Sequence, residues 1–293
     1  MIIAGLKGGL GNQMFQYALG RSLSIRNNDV LKIDPSFLHV NDVNADHTQR
    51  PYELEMFSIK KEIANDEEIG RLRNVLTRGI AKVLPSLTLN PYVKEKSQRF
   101  DPSVLALKGS RYLDGHWVSG MYFSEVEDQI RKDFTFRKAV IRQAEPVLSE
   151  IRQSSSVCLH VRRGDYVNNP SIAKVHLTTT PEYFERGIQH VSSLVDNPSF
   201  FVFSDDIKWC VEQFGQLKNV TFVEKELADA GATNNDYLQL MSNCKHFVIS
   251  NSTFSWWGSW LSVNPSKLVI APKKWLNTDA DTSDVYQPNW IKL

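Results

Sequence analysis

The second half of the chain alternates short apolar runs with amphipathic stretches, and this regular alternation most restricts the fold. From about Ile151 onward, five runs have the composition of strands: SVCLHV, SFFVFS, NVTFVE, HFVIS and KLVIAP. The segments between them predict helices: PEYFERGIQHVSSL, DIKWCVEQF, NDYLQLMSNC and TFSWWGSWL. Strands that alternate with helices build a parallel sheet, so we expect a doubly wound α/β domain. Ligands of such sheets bind beyond the carboxyl ends of the strands.

The first half opens in the same way, with the strand MIIAGL, the glycine-rich KGGLGNQ, a helical stretch from Met14 and the strand VLKI, which ends at Asp34. A single core seldom grows beyond roughly 250 to 300 residues, and this chain has 293. We therefore predict two domains, 1–145 and 146–293, with a charged helical linker near 137–152.

Composition argues against several classes of protein. Lys and Arg total 34 against 33 for Asp and Glu, and a net charge of +1 does not favour a nucleic-acid partner. A hydrophobic content of 42% is that of a soluble globular protein. Cys158, Cys210 and Cys244 lie far apart in apolar runs, so we expect buried free thiols. The N-terminus lacks a signal-peptide pattern, and no run approaches the ~18 to 20 apolar residues of a membrane span, which predicts a cytoplasmic protein.

The segment HVRRGDY places an imidazole, two guanidiniums and a carboxylate after the strand SVCLHV. In an extended segment, His160 and Arg162 point to one face and Arg163 points to the other. Arg162 is therefore placed for a ligand phosphate, which a guanidinium binds bidentately. Arg163 is the better candidate for an internal pair with a carboxylate. A surface Arg-Arg-Gly-Asp turn without a ligand is the alternative.

A second polar cluster, SNSTFSWWGSW, lies at a predicted strand-to-helix junction. Free N–H groups at a helix N-terminus hold a phosphate, and hydroxyl side chains add donors. We therefore predict an anion site that includes Asn251, Ser252, Thr253 and Ser255. The alternative is an ordinary helix cap with the tryptophans buried as core.

The third cluster, FVFSDD, follows another buried strand. Ser204 and Asp205 could accept hydrogen bonds from a base or a ribose, and capping of the next helix by one of them is the competing interpretation. A metal role is disfavoured because this strand end has no D-x-D. Asp279 and Asp281 form a D-x-D, but they lie in a polar tail where solvated charges are expected.

The loop GGLGNQ resembles a dinucleotide fingerprint, with Asp34 at the distance of a ribose ligand. Met14 occupies the third glycine position, where its bulk opposes close contact between helix and strand. Gly11, Asn12 and Gln13 instead suggest hydrogen bonds to a polar ligand. An NAD-dependent enzyme and a mere tight turn remain the alternatives.

Taken in order, GGLGNQMFQYALG, HVRRGDY, FVFSDD and DYLQLMSNCKHFVISNSTFSWWGSWL resemble glycosyltransferase family 11, which includes the α-1,2-fucosyltransferases. The resemblance implies a GT-B-like α/β fold of two Rossmann-like lobes with the donor cleft between them. Residues 1–145 would face the acceptor and residues 146–293 would bind GDP-β-L-fucose. It also implies inversion at the anomeric carbon, no metal and no cofactor, and a galactose-containing oligosaccharide or lipid-linked glycan as acceptor.

The same resemblance assigns roles to individual residues. Arg162 would contact the donor pyrophosphate, His160 would lie near the nucleotide, and Arg163 and Asp165 would stabilise the loop. Ser252 and Thr253 would meet the phosphates, Asp205 would serve the guanosine end, and Asn12 would approach from the facing domain. Related α-1,6-fucosyltransferases carry a glutamate a few residues after the aspartate that matches Asp165. Here the stretch 166–170 contains no acid, so Asp165 is the candidate base.

Three alternatives stay open at this point. One is a fucosyltransferase of another regiospecificity, and another is a non-catalytic protein that binds nucleotide sugars or glycans. The third concerns the basic stretch with Arg71, Arg73, Arg78 and Lys82, which could meet an anionic membrane surface bearing a lipid-linked acceptor. An ordinary solvated helix face explains the same stretch.

Overall fold

A computed structural model describes residues 1–38, 50–73, 90–164, 167, 173–175 and 178–293. The chain divides into two compact units. Unit 1 comprises Met1–Arg137 and Asp281–Val285, and unit 2 comprises Lys138–Ala280 and Tyr286–Leu293. The predicted boundary at 145/146 therefore lies inside unit 2. The return of a short C-terminal segment to unit 1 has no counterpart in the sequence pattern.

Unit 1 is built on a four-stranded parallel sheet in the order β2-β1-β4-β3. Its strands are β1 (Ile2–Gly5), β2 (Leu31–Asp34), β3 (Tyr92–Lys94) and β4 (Arg111–Asp114). Its α-helices are α1 (Leu10–Asn27), α2 (Asp66–Arg73), α3 (Pro102–Leu105) and α4 (Glu127–Asp133). Both predicted N-terminal strands are confirmed to within a residue or two.

Helix α1 begins earlier than the hydrophobic pattern predicts. It starts at Leu10, so the GNQ of the glycine-rich segment forms its first turn rather than a loop. The turn before it uses Gly8, whose φ is +76°, and a side chain there would meet Asn12 Nδ2 at 2.5 Å. Asn28 ends the helix in the left-handed region with φ of 48°. The tight turn therefore depends on Gly8, while Gly11 lies inside the helix.

Unit 2 contains a six-stranded sheet in the order β10-β9-β8-β5-β6-β7, and every pair in it is parallel. The strands are β5 (Ser155–Val161), β6 (Pro198–Ser204), β7 (Val220–Phe222), β8 (His246–Ile249), β9 (Val269–Ala271) and β10 (Ile291–Lys292). The helices are α5 (Glu145–Gln153), α6 (Pro181–Ser192), α7 (Ile207–Phe214), α8 (Val223–Leu227), α9 (Asn234–Asn243) and α10 (Thr253–Leu261). The alternation read from the sequence is confirmed.

One predicted strand extends too far. NVTFVE was expected to be extended to its end, but β7 stops at Phe222 and helix α8 begins at Val223. The consequence is that Glu224 stands on a helix directly beyond the carboxyl end of β7.

The core of unit 2 explains its apolar sequence runs. The β5 residues Val157, Leu159 and Val161 pack with Phe184 of α6 in a buried cluster. Trp256 and Trp257 of α10 are fully buried, as the capping interpretation expected.

The three cysteines are free and buried, as predicted. Within the described residues, the structure contains no helix with the length and apolar character that crossing a membrane requires.

Candidate functional site

The three polar clusters lie at the carboxyl ends of three neighbouring strands of unit 2. Strand β5 pairs with β6 on one side and with β8 on the other. Val161 is in register with Ser204 of β6, and His160 is in register with Ile249 of β8. HVRRGD, FSDD and SNST therefore meet at one edge of the sheet, where open α/β sheets bind ligands.

Arg162 forms an ion pair with Asp205 at this edge. Its Nη1 lies 2.7 Å from Asp205 Oδ2. The two side chains are 26% and 27% exposed, so solvent reaches both. The Asp205 carboxylate, at the end of the neighbouring strand, thus holds the guanidinium that is predicted to bind a phosphate.

Arg163 has a different carboxylate partner from Arg162. Its Nε donates to Asp206 Oδ2 at 3.2 Å, and its guanidinium lies over the Trp209 ring at 4.1 Å. Its backbone N–H donates to Asp205 Oδ1 at 2.9 Å. Arg163 is therefore internally paired with a carboxylate, which confirms the sequence-based expectation.

Gly164 allows Asp205 to approach the loop after β5. A Cβ at residue 164 would lie 2.6 Å from Asp205 Oδ2 and 3.1 Å from its Cγ. Real Cβ contacts are not that short, so any side chain at this position would displace the carboxylate. Gly164 thus leaves room for the Asp205 carboxylate in the position where it pairs with Arg162.

His160 is an uncharged imidazole at neutral pH. Burial and the Arg162 guanidinium lower its pKa to about 4, although the Asp205 carboxylate opposes the shift. The residue is 7% exposed, and its Nδ1 has no hydrogen-bond partner among the described residues. Without a bound anion, His160 therefore carries no positive charge at this edge of the sheet.

Ser250, which sequence reasoning did not single out, joins the ends of β5 and β8. Its Oγ accepts the N–H of Arg162 and donates to the His160 carbonyl, both at 3.0 Å. Buried Thr179 also contacts this hydroxyl at 3.1 Å. The sequence SNST contained a signal for this role. Ser250 is the first residue after β8, and such a residue lies beside the end of the neighbouring strand, here β5. Ser250 fixes the backbone that carries Arg162.

The N-terminus of α10 lies beside Ser250. Ser252 is the cap residue, yet its side chain accepts no hydrogen bond from the helix. An ordinary cap would use that hydroxyl on a backbone N–H. Thr253, the first helical residue, is half-buried. The hydroxyl of Ser252 and the first N–H groups of α10 thus form a donor set suited to an anion.

Three other predicted donor residues are used inside unit 2. Ser255 is fully buried and donates to the Ser252 carbonyl at 3.2 Å. Asn251 is buried and its Nδ2 donates to the Trp275 carbonyl at 2.8 Å. Ser204 Oγ accepts the Asp206 N–H at 2.9 Å. We therefore assign these side chains to support of the site.

The helix after FSDD is capped by a residue other than the two considered. Asp206 is the cap of α7 and accepts the Trp209 N–H at 3.3 Å, so the expectation that Ser204 or Asp205 caps it was wrong. Asp206 directly precedes the first helical residue, Ile207, and from this position its side chain reaches the N–H of the third helical residue, Trp209. This leaves Asp205 to the arginines.

The amides of the N-terminal segment differ in their surroundings. Gln13 is fully buried; its Nε2 donates to the Gly8 and Pro51 carbonyls at 3.0 and 2.8 Å, and its Oε1 accepts the Glu53 N–H at 3.1 Å. We therefore leave Gln13, and Gly11 within α1, out of the proposed donor site. Asn12 is half-buried in the first turn of α1 and stays a predicted donor contact.

Asp34 is unavailable to a ribose. It is fully buried, its Oδ2 accepts the Tyr112 hydroxyl at 2.7 Å, and its Oδ1 accepts the Ser36 N–H at 2.9 Å. The feature that favoured an NAD-dependent enzyme is therefore a structural contact of unit 1.

The remaining predictions concern the catalytic base, the basic stretch and the D-x-D motif. Asp165, the candidate base, lies outside the described residues, as do Arg78 and Lys82 of the basic stretch. Asp281 pairs with Arg99 within unit 1. Among the described residues, no group of three or more His, Cys, Asp or Glu side chains is arranged to hold a metal.

Glu224 is a site residue that the sequence did not reveal. It stands at the start of α8, beyond β7, and its Oε2 is buried without a partner among the described residues. Burial raises its pKa to about 8, and the Asp205 carboxylate adds to the shift, while backbone hydrogen bonds from Glu224 and Ser204 oppose it. The group is thus a protonated acid near Asp205 at neutral pH.

The family model for glycosyl transferase family 11 matches residues 70–293, which include all three polar clusters of unit 2. The chain belongs to glycosyltransferase family 11. It is therefore a glycosyltransferase, and the motif resemblance is confirmed at the level of the family.

Relatives cover the whole chain. The Escherichia coli alpha-1,2-colitosyltransferase is 33% identical, over 100% of this chain and 99% of its own length. The Escherichia coli O-antigen biosynthesis glycosyltransferase WbnK is 32% identical, over 98% of this chain and 99% of its own. The mouse galactoside 2-alpha-L-fucosyltransferase Sec1 is 25% identical, over 98% of this chain and 72% of its own.

A solved structure supports the fold. The fucosyltransferase NodZ from Bradyrhizobium superposes with a TM-score of 0.52 at 13% identity, covering 88% of this chain and 92% of that one. With two parallel-sheet units, the protein has the GT-B-like α/β fold that the motifs predicted.

Proposed function

We propose that the protein transfers L-fucose from GDP-β-L-fucose to a galactose hydroxyl of a glycan, in α-1,2 linkage and with inversion. The observation that carries the proposal is that Arg162 and the N-terminus of α10, whose cap residue Ser252 makes no side-chain hydrogen bond to the helix, follow the adjacent parallel strands β5 and β8. This arrangement suits a diphosphate, because a guanidinium and helix N–H groups both stabilise phosphate charge. The family membership and the name of the mouse relative support the choice of reaction.

In the proposed reaction, the acceptor oxygen forms a bond to the anomeric carbon as the bond from that carbon to the β-phosphate oxygen breaks. GDP leaves with the bonding electrons, so negative charge grows on the β-phosphate. Arg162, the Ser252 hydroxyl and the first N–H groups of α10 are the donors that stabilise this charge. One such donor is typically worth ~3 to 4 kcal/mol, or about 10²- to 10³-fold in rate.

Asp205 has a positioning role in this scheme. Asp205 Oδ2 pairs with the Arg162 guanidinium, and Oδ1 accepts the Arg163 N–H. Asp205 therefore orients Arg162 before the donor binds. We therefore move Asp205 from the guanosine end of the donor to the support of Arg162. Asp165 remains the proposed acceptor for the hydroxyl proton, and no metal takes part in the proposed reaction.

A second donor sugar is favoured by a specific observation. The relative named alpha-1,2-colitosyltransferase is more similar to this chain, at 33% identity, than the mouse fucosyltransferase at 25%. Colitose is L-fucose without its 3-hydroxyl. GDP-fucose and GDP-colitose would therefore make the same phosphate contacts and differ at one hydrogen-bonding group of the sugar. Loss of a hydrogen-bonded hydroxyl discriminates strongly only where the site has a polar partner for it.

The deciding experiment presents equal concentrations of GDP-fucose and GDP-colitose with galactose-terminated acceptors in the presence of EDTA. We expect fucosyl transfer at least as fast as colitosyl transfer, with the product linked to O2 of galactose. Exclusive colitosyl transfer would replace the fucose assignment. Linkage to another hydroxyl would correct the regiospecificity, and hydrolysis or binding without transfer would contradict the enzymatic proposal.

The name of a bacterial relative supports a proposal for the acceptor. WbnK is named for O-antigen biosynthesis, and we propose that this protein acts on a surface polysaccharide, with a galactose-containing oligosaccharide or lipid-linked glycan as acceptor. A cytoplasmic location, at the inner face of the membrane when the acceptor is lipid-linked, is part of the same proposal. Sedimentation of the protein with vesicles that contain anionic lipid tests the membrane contact.

A further inference from the structure

Unit 1 contains a small pocket of its own, with a volume of about 120 Å³. It lies beyond the carboxyl ends of β3 and β4, because its lining includes Glu95 and Ser97 after β3 and Trp117 after β4. Helix α3 supplies Ser103 and Val104 to the lining. This is the edge at which parallel sheets bind ligands.

Trp117 at the base of this pocket has a strained backbone. Its φ is +57°, in the left-handed region that bulky residues avoid. Such a conformation costs of the order of 1 to 3 kcal/mol and persists only where surrounding contacts enforce it. Its indole Nε1 is also buried without a hydrogen-bond acceptor among the described residues. Strain and an unsatisfied donor together point to a constraint other than stability.

Glu95 enforces the strained turn. Its Oε1 accepts the Trp117 N–H at 2.9 Å and its Oε2 accepts the His116 N–H at 2.7 Å. Gly115 permits the close approach, because a Cβ there would lie 2.4 Å from Glu95 Cβ and 2.7 Å from Trp117 Cε2. Each carboxylate oxygen has a second lone pair, so Glu95 keeps the capacity to accept from a ligand hydroxyl.

The lining is apolar at its base and polar at its rim. Trp117 and Tyr122 meet edge to face at 5.7 Å, and Val104 is buried beside them. The rim carries the exposed side chains of Ser97 and Ser103. Arg99 also lines the pocket, and Asp281 and Asp284 pair with its guanidinium. The exposed side chains of Lys94 and Lys96 add further hydrogen-bond donors to the lining. The pocket therefore suits a ligand with one apolar face and several hydroxyls that can accept and donate hydrogen bonds.

A pyranose ring has this combination of surfaces. We propose that the unit 1 pocket holds one neutral pyranose residue of the acceptor glycan, with its apolar face on the Trp117 side and its hydroxyls toward Glu95 and the serine rim. The inference rests on the proposed function and extends it by assigning a binding site for the acceptor.

The test fills the pocket from two sides without touching its base. Ser97→Trp and Ser103→Trp each place a large ring at the rim, and Ser58→Trp, at an exposed serine of unit 1 outside the lining, is the matched control. We expect both rim variants to raise the acceptor KM by about tenfold or more, about 1.4 kcal/mol. GDP affinity should stay equal to that of the wild type, and Ser58→Trp should change neither quantity.

Direct binding keeps this test independent of the proposed reaction. Saturation-transfer NMR with methyl β-D-galactopyranoside, without donor, should show contact in the wild type and in Ser58→Trp and none in the rim variants. Binding that survives in both rim variants, or no binding to the wild type at millimolar sugar, would overturn the pocket assignment. Failure of transfer with sugar binding intact would instead count against the proposed function alone.

Discussion

Arg162 Nη1 lies 2.7 Å from Asp205 Oδ2, across the ends of the adjacent parallel strands β5 and β6. Both side chains are about a quarter exposed, and a pair so placed contributes only about 0.2 to 1 kcal/mol to stability. The pair is therefore a weak stabiliser of the fold. Its importance is that it fixes the guanidinium at the edge where the phosphates are proposed to bind.

Asp205→Asn should separate positioning from stability. The amide keeps the size of the side chain but loses the charge that holds Arg162, so we expect transfer to fall by about 10²-fold, as for a misplaced catalytic group. The melting temperature should change by no more than a few degrees. Glu127→Gln, which removes the exposed Glu127–Arg131 pair of unit 1, is the control and should retain full activity. Equal activity of both variants would refute the positioning role.

Gly164→Ala should have a similar effect through sterics alone. The new Cβ would be 2.6 Å from Asp205 Oδ2, so the carboxylate must move away from Arg162. We expect a loss of transfer of about 10-fold or more. At Gly70, within α2, a Cβ meets nothing within 4 Å, so Gly70→Ala should retain activity and gain about 0.5 to 1 kcal/mol of stability. Kinetics and denaturant unfolding of the two variants make the comparison, and undiminished turnover in Gly164→Ala would count against the contact.

Arg162→Ala and Arg162→Lys should both lose transfer. Alanine removes the phosphate donor, and lysine keeps the charge but lacks the planar fork. We expect losses of about 10²- to 10³-fold for alanine and a smaller loss for lysine. Retention of more than about a tenth of the wild-type rate by the alanine variant contradicts the assignment, since a tenth corresponds to only ~1.4 kcal/mol. Arg131→Ala is the matched control for loss of an arginine from an exposed pair.

Glu224 predicts an unusual dependence of stability on pH. Its pKa rises to about 8 in the folded protein, against about 4.3 in an unfolded chain. The folded state therefore binds a proton that the unfolded state has lost, and this contribution to stability disappears as the pH rises from about 4 through 8.

Glu224→Gln should remove that dependence. We expect the variant to be more stable than the wild type at pH 8.5 by a few kcal/mol, and close to it at pH 5, because glutamine needs no proton. Denaturant unfolding at both pH values is the measurement, and Glu226→Gln, on the exposed side of α8, is the control. The same difference from wild type at both pH values would show that the carboxyl is ionised in the folded state.

The sequence located the strand ends of unit 2 because hydrophobic runs and polar clusters change at the same residues. Arg163 could also be assigned to an internal carboxylate, because side chains alternate along an extended segment. The partner of Arg162 could not, because the sequence does not state that β5 and β6 are neighbours in register. That register brings Asp205 to the guanidinium.

Other features depend on contacts that no local pattern encodes. Gln13 looked like a ligand residue because it follows glycines, yet its amide closes a turn with Gly8 and Pro51. Glu224 was read as the end of a strand, although a helix begins one residue before it. The strained turn at Trp117 is set by Glu95, which follows strand β3. At Gln13 and Trp117, residues from another part of the chain determine the local structure.

The most direct test of the account is a crystal structure of the protein with GDP. We expect the diphosphate beyond the carboxyl ends of β5 and β8, with the Arg162 guanidinium and the Ser252 hydroxyl within hydrogen-bond distance of its β-phosphate oxygens. GDP bound at another edge of the sheet, or with its phosphates in contact with neither Arg162 nor α10, would contradict the account.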